Sequence, residues 1–402
     1  MSIIWPYFLL MTYFSVLASF IGRITRWSDL IPAKHGAGQF DKEIEGLRGV
    51  LAISVFFHHG VISWIFVAMG VWADPPSRFY AQLGPFAVTM FFFITGYLFW
   101  RKLSKAPNRI RYFPFIKNRL RRLFPAYLAS VGLIFGIYFA QYGYKPGISW
   151  SSFVARASTW LFCGLPYGFQ QISNLHDLST INAYIFWTLR TEWLFYLVIP
   201  LLGWFTIKHR VLYLFVLAAM IKAACHYFEI HTSPNTVYAP LIELPHALSQ
   251  YFIQGFSVGI LTAHAKTHLH LESTLRKPVW CLFSLSLWLA VMLIVPTGYN
   301  LFLTALLAPI FLTIAHGNNY LGILGKPTAF LGTISYSVYL LHGIVLYVCT
   351  HLASRFVSYG NLYSLRYWMF IAGTGTLVIV AATLSYRYIE YPWMAKPAKT
   401  TL

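Results

Sequence analysis

Apolar stretches of about 20 residues recur along the chain, separated by short polar loops. A helix rises about 1.5 Å per residue, so some 20 apolar residues cross the roughly 30 Å hydrocarbon core of a bilayer. Ten stretches have this character: 48–72, 82–100, 123–142, 183–206, 211–230, 247–265, 279–296, 299–317, 330–350 and 366–386. Residues 5–22 are also apolar and aromatic, but short for a span. No basic segment precedes them, which argues against a cleaved signal peptide. They form either an extra span or an interfacial helix. The pattern predicts an all-α fold, a polytopic transmembrane helix bundle of about ten spans plus that N-terminal helix. Residues 1–44 hold the apolar N-terminal helix and a polar linker, 45–392 the transmembrane domain, and 393–402 a cytoplasmic tail. No repeat or low-complexity run is visible.

Basic residues orient the bundle. The loop 101–122 carries Arg101, Lys102, Lys105, Arg109, Arg111, Lys117, Arg119, Arg121 and Arg122, which places it in the cytoplasm. Counting spans from there, the loops near 207–210, 266–278 and 318–329 and the tail from 387 are cytoplasmic too. They contain Lys208, Arg210, Lys266, Arg276, Lys277, Lys326, Arg387, Lys396 and Lys399. The opposite loops hold few basic residues, among them Arg78, Lys145, Arg156 and Arg355. The longest external segment, 143–182, includes a short interfacial helix from Trp150 to Cys163. Its aromatics Trp150, Trp160 and Tyr167 belong either to an interfacial belt or to a surface that stacks on sugar rings.

Composition narrows the class. The chain is 58% hydrophobic and only 10% charged, where soluble domains have roughly 25% charged residues. A formal charge of +19 suits nucleic acid in a soluble protein, but here the cations sit in loops between spans. Membrane lipids, not nucleic acid, are the expected surroundings, and an anionic cytosolic substrate would use some of the same cations. Cys163, Cys225, Cys281 and Cys349 are scattered, with no CxxC pair, and read as small core residues.

Ionisable residues inside a membrane are costly and mark functional candidates. Arg48 and His59 lie in Glu45-Gly-Leu-Arg-Gly-Val-Leu-Ala-Ile-Ser-Val-Phe-Phe-His-His59. Eleven positions at ~100° each make three turns and roughly 20° more, so the two share a face, ~16 Å apart along the axis. His58 points ~100° away. Arg119 and Arg122 form an R-x-x-R pair on one face at the start of the third span. They either anchor the helix or present forked donors to a phosphate. In Trp187-Thr-Leu-Arg-Thr-Glu192-Trp-Leu-Phe-Tyr196, the residues Thr188, Glu192 and Tyr196 share a face. Glu192 is either one half of a structural ion pair or a group that orients His59 or binds an acceptor hydroxyl. Ser335, Tyr339 and His342 form a polar stripe at i, i+4 and i+7, which either joins helices or lines a site. Gly96 in Phe91-Phe-Phe-Ile-Thr-Gly96-Tyr97 suggests a close helix contact. His264, His268 and His270 read as H-x3-H-x-H; the i, i+4 pair His264 and His268 sits at a loop edge with no third ligand evident, so no metal is expected. Gly325-Lys326-Pro-Thr is no P-loop, since Tyr320 stands where the first glycine belongs, and no G-x-S-x-G elbow occurs.

In their order along the chain, these motifs resemble the acyltransferase-3 family of membrane O-acyltransferases. The resemblance runs from about Glu45 to Pro392. It rests on the R-x10-H of Arg48 and His59, the R-x-x-R of Arg119 and Arg122, and the Trp187-Thr-Leu-x-x-Glu192-x-x-Phe-Tyr block. The Ser335-Tyr-Ser-x-Tyr-Leu-x-His342 block and the terminal Tyr388-Ile-Glu390-Tyr-Pro392 complete it. It implies transfer of an acyl group, acetyl by default, from acetyl-CoA as co-substrate to a hydroxyl of a cell-surface glycan such as O-antigen or exopolysaccharide. His59 is then the catalytic histidine and Arg48 its companion. Arg119 and Arg122 contact acyl-CoA, Glu192 is a functional carboxylate, and Trp187, Ser335, Tyr339 and His342 line the site. No bound cofactor is implied. The resemblance places the chain in the bacterial cytoplasmic (inner) membrane. Thr95 departs from the serine usual in relatives but keeps a hydroxyl. Some relatives end in an extracytoplasmic esterase-like domain. This chain stops at Leu402, so it either acylates its carbohydrate or lipid-linked glycan acceptor itself or passes the group to a separate extracytoplasmic protein. The rival expectations are a polysaccharide-precursor transporter or flippase, which internal repeats would favour, and a non-catalytic scaffold, which Arg48, His59 and Glu192 disfavour.

Overall fold

The structure is a computed structural model and describes residues 4–25, 41–105, 112–143, 148–165, 168–172, 177–206, 210–231, 249–320, 322, 324–354 and 364–395. Every regular element among them is helical. In chain order they are α1 (Trp5–Ile24), α2 (Lys42–Met69), α3 (Arg78–Lys105), α4 (Tyr112–Tyr142), α5 (Trp150–Leu161) and α6 (Phe186–Val198), which runs on as 3-10 helix through Ile199–Thr206. Then come α7 (Val211–His231), α8 (Ser257–His268) behind a π-helical turn at Phe252–Phe256, the single turn α9 (Glu272–Leu275), α10 (Pro278–Leu293) and α11 (Leu301–Ala315). The last are α12 (Lys326–Thr333), α13 (Ser335–Ala353) and α14 (Leu365–Ser385), the latter continuing through a π-helical turn at Tyr386–Glu390 into α15 (Tyr391–Ala395).

Among the described residues, six helices are long and apolar enough to cross a membrane: α1, α2, α3, α4, α13 and the stretch Leu365–Met394. Shorter apolar helices at Val211–His226, α10 and α11 accompany them. The ten apolar stretches thus resolve into spans and shorter pieces. The stretch 330–350 is not one helix; the chain turns at Ile334 between α12 and α13. The stretch 183–206 becomes helical only at Phe186, and tightens to 3-10 geometry at Ile199, just before Pro200. Proline has no N–H for the α-helical ladder, so a change there is expected.

α1 answers the question its sequence left open. Tyr7, Leu10, Phe14 and Ala18 are buried, and Phe14 meets Phe56 and Phe57 of α2. The Tyr7 and Ser54 hydroxyls hydrogen-bond at 3.0 Å. The opposite face exposes Trp5, Phe8, Leu9, Val16 and Phe20. An interfacial helix turns a polar face to water; α1 is apolar all round, as a lipid-facing span is.

α2 and α3 lie at the centre of the bundle, each with 78% of its apolar window buried. Small residues let their neighbours approach, as expected where lipid supplies no hydrophobic drive between helices. A Cβ on Gly332 of α12 would fall 1.9 Å from the Glu45 carbonyl of α2, and one on Gly96 of α3 would fall 2.2 Å from the Phe256 carbonyl. The sequence reading of Gly96 as a close contact matches this geometry. At the basic end of the bundle Arg101 pairs with Asp41, Lys266 donates to the Ala315 carbonyl, and Arg276 donates to the His316 carbonyl at 3.1 Å. At the other end Arg78 donates to the Ile294 carbonyl at 2.6 Å. Arg101, Lys266 and Arg276, which charge assigned to one side, therefore gather at one end; residues 106–111 and 207–209 of those loops lie outside the described residues.

Candidate active site

Two polar clusters occupy the interior, and α2, α6 and α13 each contribute to both. The first is built around His59. Its Nδ1 lies 3.0 Å from Nε2 of His342 on α13. Nδ1 of His342 lies 2.8 Å from the Tyr339 carbonyl and 3.2 Å from the Val338 carbonyl. A carbonyl only accepts, so His342 Nδ1 carries the hydrogen. In the neutral pair His342 Nε2 is then the acceptor, and His59 Nδ1 is the donor. His59 Nε2 is left with its lone pair, in a ring that lines a cavity of about 160 Å³. His58 differs: its Nδ1 is bound to the Tyr80 carbonyl at 2.9 Å, and its ring packs so closely on Gly84 that a Cβ there would fall 2.7 Å away.

The cavity walls come from several elements. Trp72 and Asp74 follow α2, Tyr184 precedes α6, Trp187 and Thr188 open α6, Tyr299 precedes α11, and Tyr339 belongs to α13. Tyr339 and Thr188 share a 2.6 Å hydrogen bond between hydroxyls. Trp187 sits 5.3 Å from Tyr299 and 5.6 Å from Tyr251, ring to ring. The segment before α6 is not helical, and Ala183 and Tyr184 adopt left-handed φ values of 56° and 57°. Neither is glycine, so this is strained backbone at the edge of a site. Close packing holds it: a Cβ on Gly343, next to His342, would fall 2.5 Å from the Asn182 carbonyl carbon. Ile181, Asn182, Ala183 and Ile185 are all buried in protein, the condition for irregular backbone inside a membrane bundle.

The second cluster gathers the arginines and carboxylates. Arg48 bonds Glu45 one turn earlier at 3.1 Å and feels the charge of Glu192. Glu192 accepts hydrogen bonds from the Tyr196 and Thr95 hydroxyls, the latter at 3.4 Å. Thr95 is the residue that departs from the serine of relatives, and its hydroxyl is used. The Arg119 guanidinium lies 5.2 Å over the Phe99 ring, within electrostatic reach of Arg122, Tyr196 and Glu192. Its buried Nε has no hydrogen-bond partner among the described residues.

The structure thus brings Arg48, Arg119, Arg122 and Glu192 together in one place, and His59, His342, Tyr339 and Trp187 in another. Ser335 is buried with an unpartnered hydroxyl, one turn before Tyr339, and does not line the cavity. The expectation that Glu192 orients His59 is not met: His342 contacts His59, and Glu192 bonds Tyr196 and Thr95. Sequence reasoning placed Glu390 in the terminal motif but gave it no role in the site. It is 3% exposed, accepts from the Ser337 hydroxyl, and faces Arg122 and Arg48. The signal was a lone carboxylate in an otherwise apolar final stretch. Its π-helical turn is a second mark, since such turns concentrate at functional sites. Trp72, Asp74, Tyr184 and Tyr299 lie in or beside loops and carried no spacing signal.

The acyltransferase-3 family, described as an acyltransferase domain, matches residues 41–387. That is most of the chain. This protein belongs to the acyltransferase-3 family. The acyltransferase-3 chain is therefore a membrane acyltransferase, and its apolar helices are those of an integral membrane protein. No curated protein and no solved structure matches it.

Proposed function

We propose that this acyltransferase moves an acyl group, acetyl by default, from cytoplasmic acyl-CoA to a hydroxyl of a cell-surface glycan, in the cytoplasmic membrane of a bacterium with its C-terminus in the cytoplasm. The observation that carries the reading is the His59–His342 pair. A carbonyl-anchored His342 fixes the tautomer of His59 and leaves Nε2 as an acceptor nitrogen in a cavity wall. In the reaction, His59 Nε2 takes the proton of the acceptor hydroxyl as its oxygen attacks the thioester carbonyl. The C–S bond breaks, and the imidazolium returns the proton to the departing CoA thiolate. Neutral imidazole suits both steps because its ordinary pKa lies near 6.5. Arg119 and Arg122 hold the CoA phosphates, while Glu192 and Glu390 fix the arginine side chains between them.

The test uses labelled acetyl-CoA and membranes holding wild type, His59→Ala, His58→Ala or Arg122→Ala. Acylation of glycan falls ~10²–10⁴-fold in His59→Ala. In Arg122→Ala the KM for acetyl-CoA rises. His58→Ala keeps turnover to the extent that it folds. Full activity in His59→Ala would overturn the assignment.

A further inference from the structure

A second cavity, of about 250 Å³, adjoins the histidine cavity, and Tyr184 and Trp187 line both. Trp160, Phe169 and Phe186 supply apolar walls, packed ring against ring at 5.5–5.9 Å. Its polar lining is Ser179, Asn182 and Arg190. None of the described lining residues is acidic.

Asn182 is the decisive residue. It is 1% exposed, and its Oδ1 accepts from the Tyr184 backbone N–H at 3.1 Å. Its Nδ2 is buried without a hydrogen-bond partner among the described residues. A buried amide donor left unmade is unfavourable, so a ligand atom that accepts is the natural complement. Arg190 adds a permanent positive charge and a forked set of donors. The Ser179 hydroxyl already accepts from Gln171 Nε2 at 3.2 Å, which leaves its own hydrogen to give. Asn182, Arg190 and Ser179 therefore offer donors, Tyr184 gives its hydroxyl hydrogen to Asp177 outside the lining, and the remaining walls are aromatic apart from Gly168. A neutral sugar presents donors and acceptors alike; an oxyanion presents acceptors only.

We propose that this cavity is a subsite for an acidic sugar of the acceptor, one bearing a carboxylate or a phosphate ester, next to the sugar whose hydroxyl is acylated. The ring stacks on the aromatic walls while the oxyanion meets Arg190 and Asn182. This deepens the acyl-transfer reading and rests on it, because Tyr184 and Trp187 wall both the subsite and the His59 cavity.

The test is binding without chemistry. Purified wild-type protein in nanodiscs, free of acyl-CoA, is titrated with glucuronate, glucose 6-phosphate and glucose. Tryptophan fluorescence is the readout, since Trp160 and Trp187 line the cavities. A charged sugar binds about tenfold tighter than glucose, the discrimination expected for a charge-assisted hydrogen bond. Preference for glucuronate assigns a carboxylate ligand, and preference for glucose 6-phosphate a phosphate. Arg190→Gln and Asn182→Asp each erase the difference, while Arg190→Lys keeps part of it. Asn182→Asp preserves the acceptor for Tyr184 and puts a repelling oxygen where Nδ2 was, so it serves even where Arg190→Gln fails to fold. Equal binding of all three sugars, no binding of any, or a preference that survives both substitutions overturns the subsite. His59→Ala keeps the preference. A failed subsite therefore leaves the transfer assay unaffected, and a failed transfer assay leaves this binding result standing.

Discussion

His342 shows how one residue decides the state of another. Its Nδ1 is committed to backbone carbonyls, so Nε2 can only receive, and His59 Nδ1 must give. His342→Ala removes that acceptor and leaves the His59 ring to its bond with the Val55 backbone. An unmade buried hydrogen bond is worth about 1–3 kcal/mol, so kcat falls ~10–100-fold, with the KM for acyl-CoA unchanged. His342→Gln, whose amide oxygen can accept, restores part of the loss. A merely structural role would lower protein yield without splitting kcat from KM. This pairing was only half legible. Helical spacing singled out His59 over His58, and the same arithmetic put His342 on a stripe with Tyr339. Spacing relates residues of one helix; it is silent on which helix stands opposite, across 283 positions of chain. Glu192 looked an equally good partner on chemistry alone.

At the level of helices, the central contacts are set where side chains are missing. Gly332 meets the Glu45 carbonyl, one turn before Arg48. Gly332→Ala forces α12 away from α2 and costs about 1–3 kcal/mol, read as a lower unfolding temperature in detergent. Gly136→Ala is the contrast. No atom lies within 4 Å of a Cβ built there, so α4 should gain ~0.5–1 kcal/mol from the lost backbone freedom. Hydropathy made the apolar stretches legible because burial in lipid leaves no other signature as strong. It could not show the turn at Ile334, since the stretch is apolar on both sides of it. Nor could it show the left-handed Ala183 and Tyr184, because no glycine or asparagine stands at either position. Those two misses share a cause: tertiary packing against α2 and α13 overrides a local preference for continuous helix.

For the whole molecule, orientation is the open quantity, and the basic end supplies the prediction. Ser354 lies at the end of α13, and Thr274 in α9 beside Arg276 at the basic end; both are exposed. In a cysteine-free background, an impermeant maleimide added to intact cells labels Ser354→Cys and spares Thr274→Cys until the membrane is opened. The reverse pattern inverts the bundle, puts Arg119 and Arg122 on the outer side, and overturns the proposed acyl-CoA contact. The run 177–185, irregular apart from the 3-10 turn Leu178–Thr180, has a different kind of consequence. His59 and His342 stand on helices, whereas much of the neighbouring aromatic cavity is drawn from the connection between α4 and α6. Chemistry and recognition therefore reside on separable lengths of chain. The connection can accumulate substitutions, and so change what the cavity admits, while the histidine pair and the arginine cluster stay untouched. A division of that kind lets one reaction serve acceptors that change.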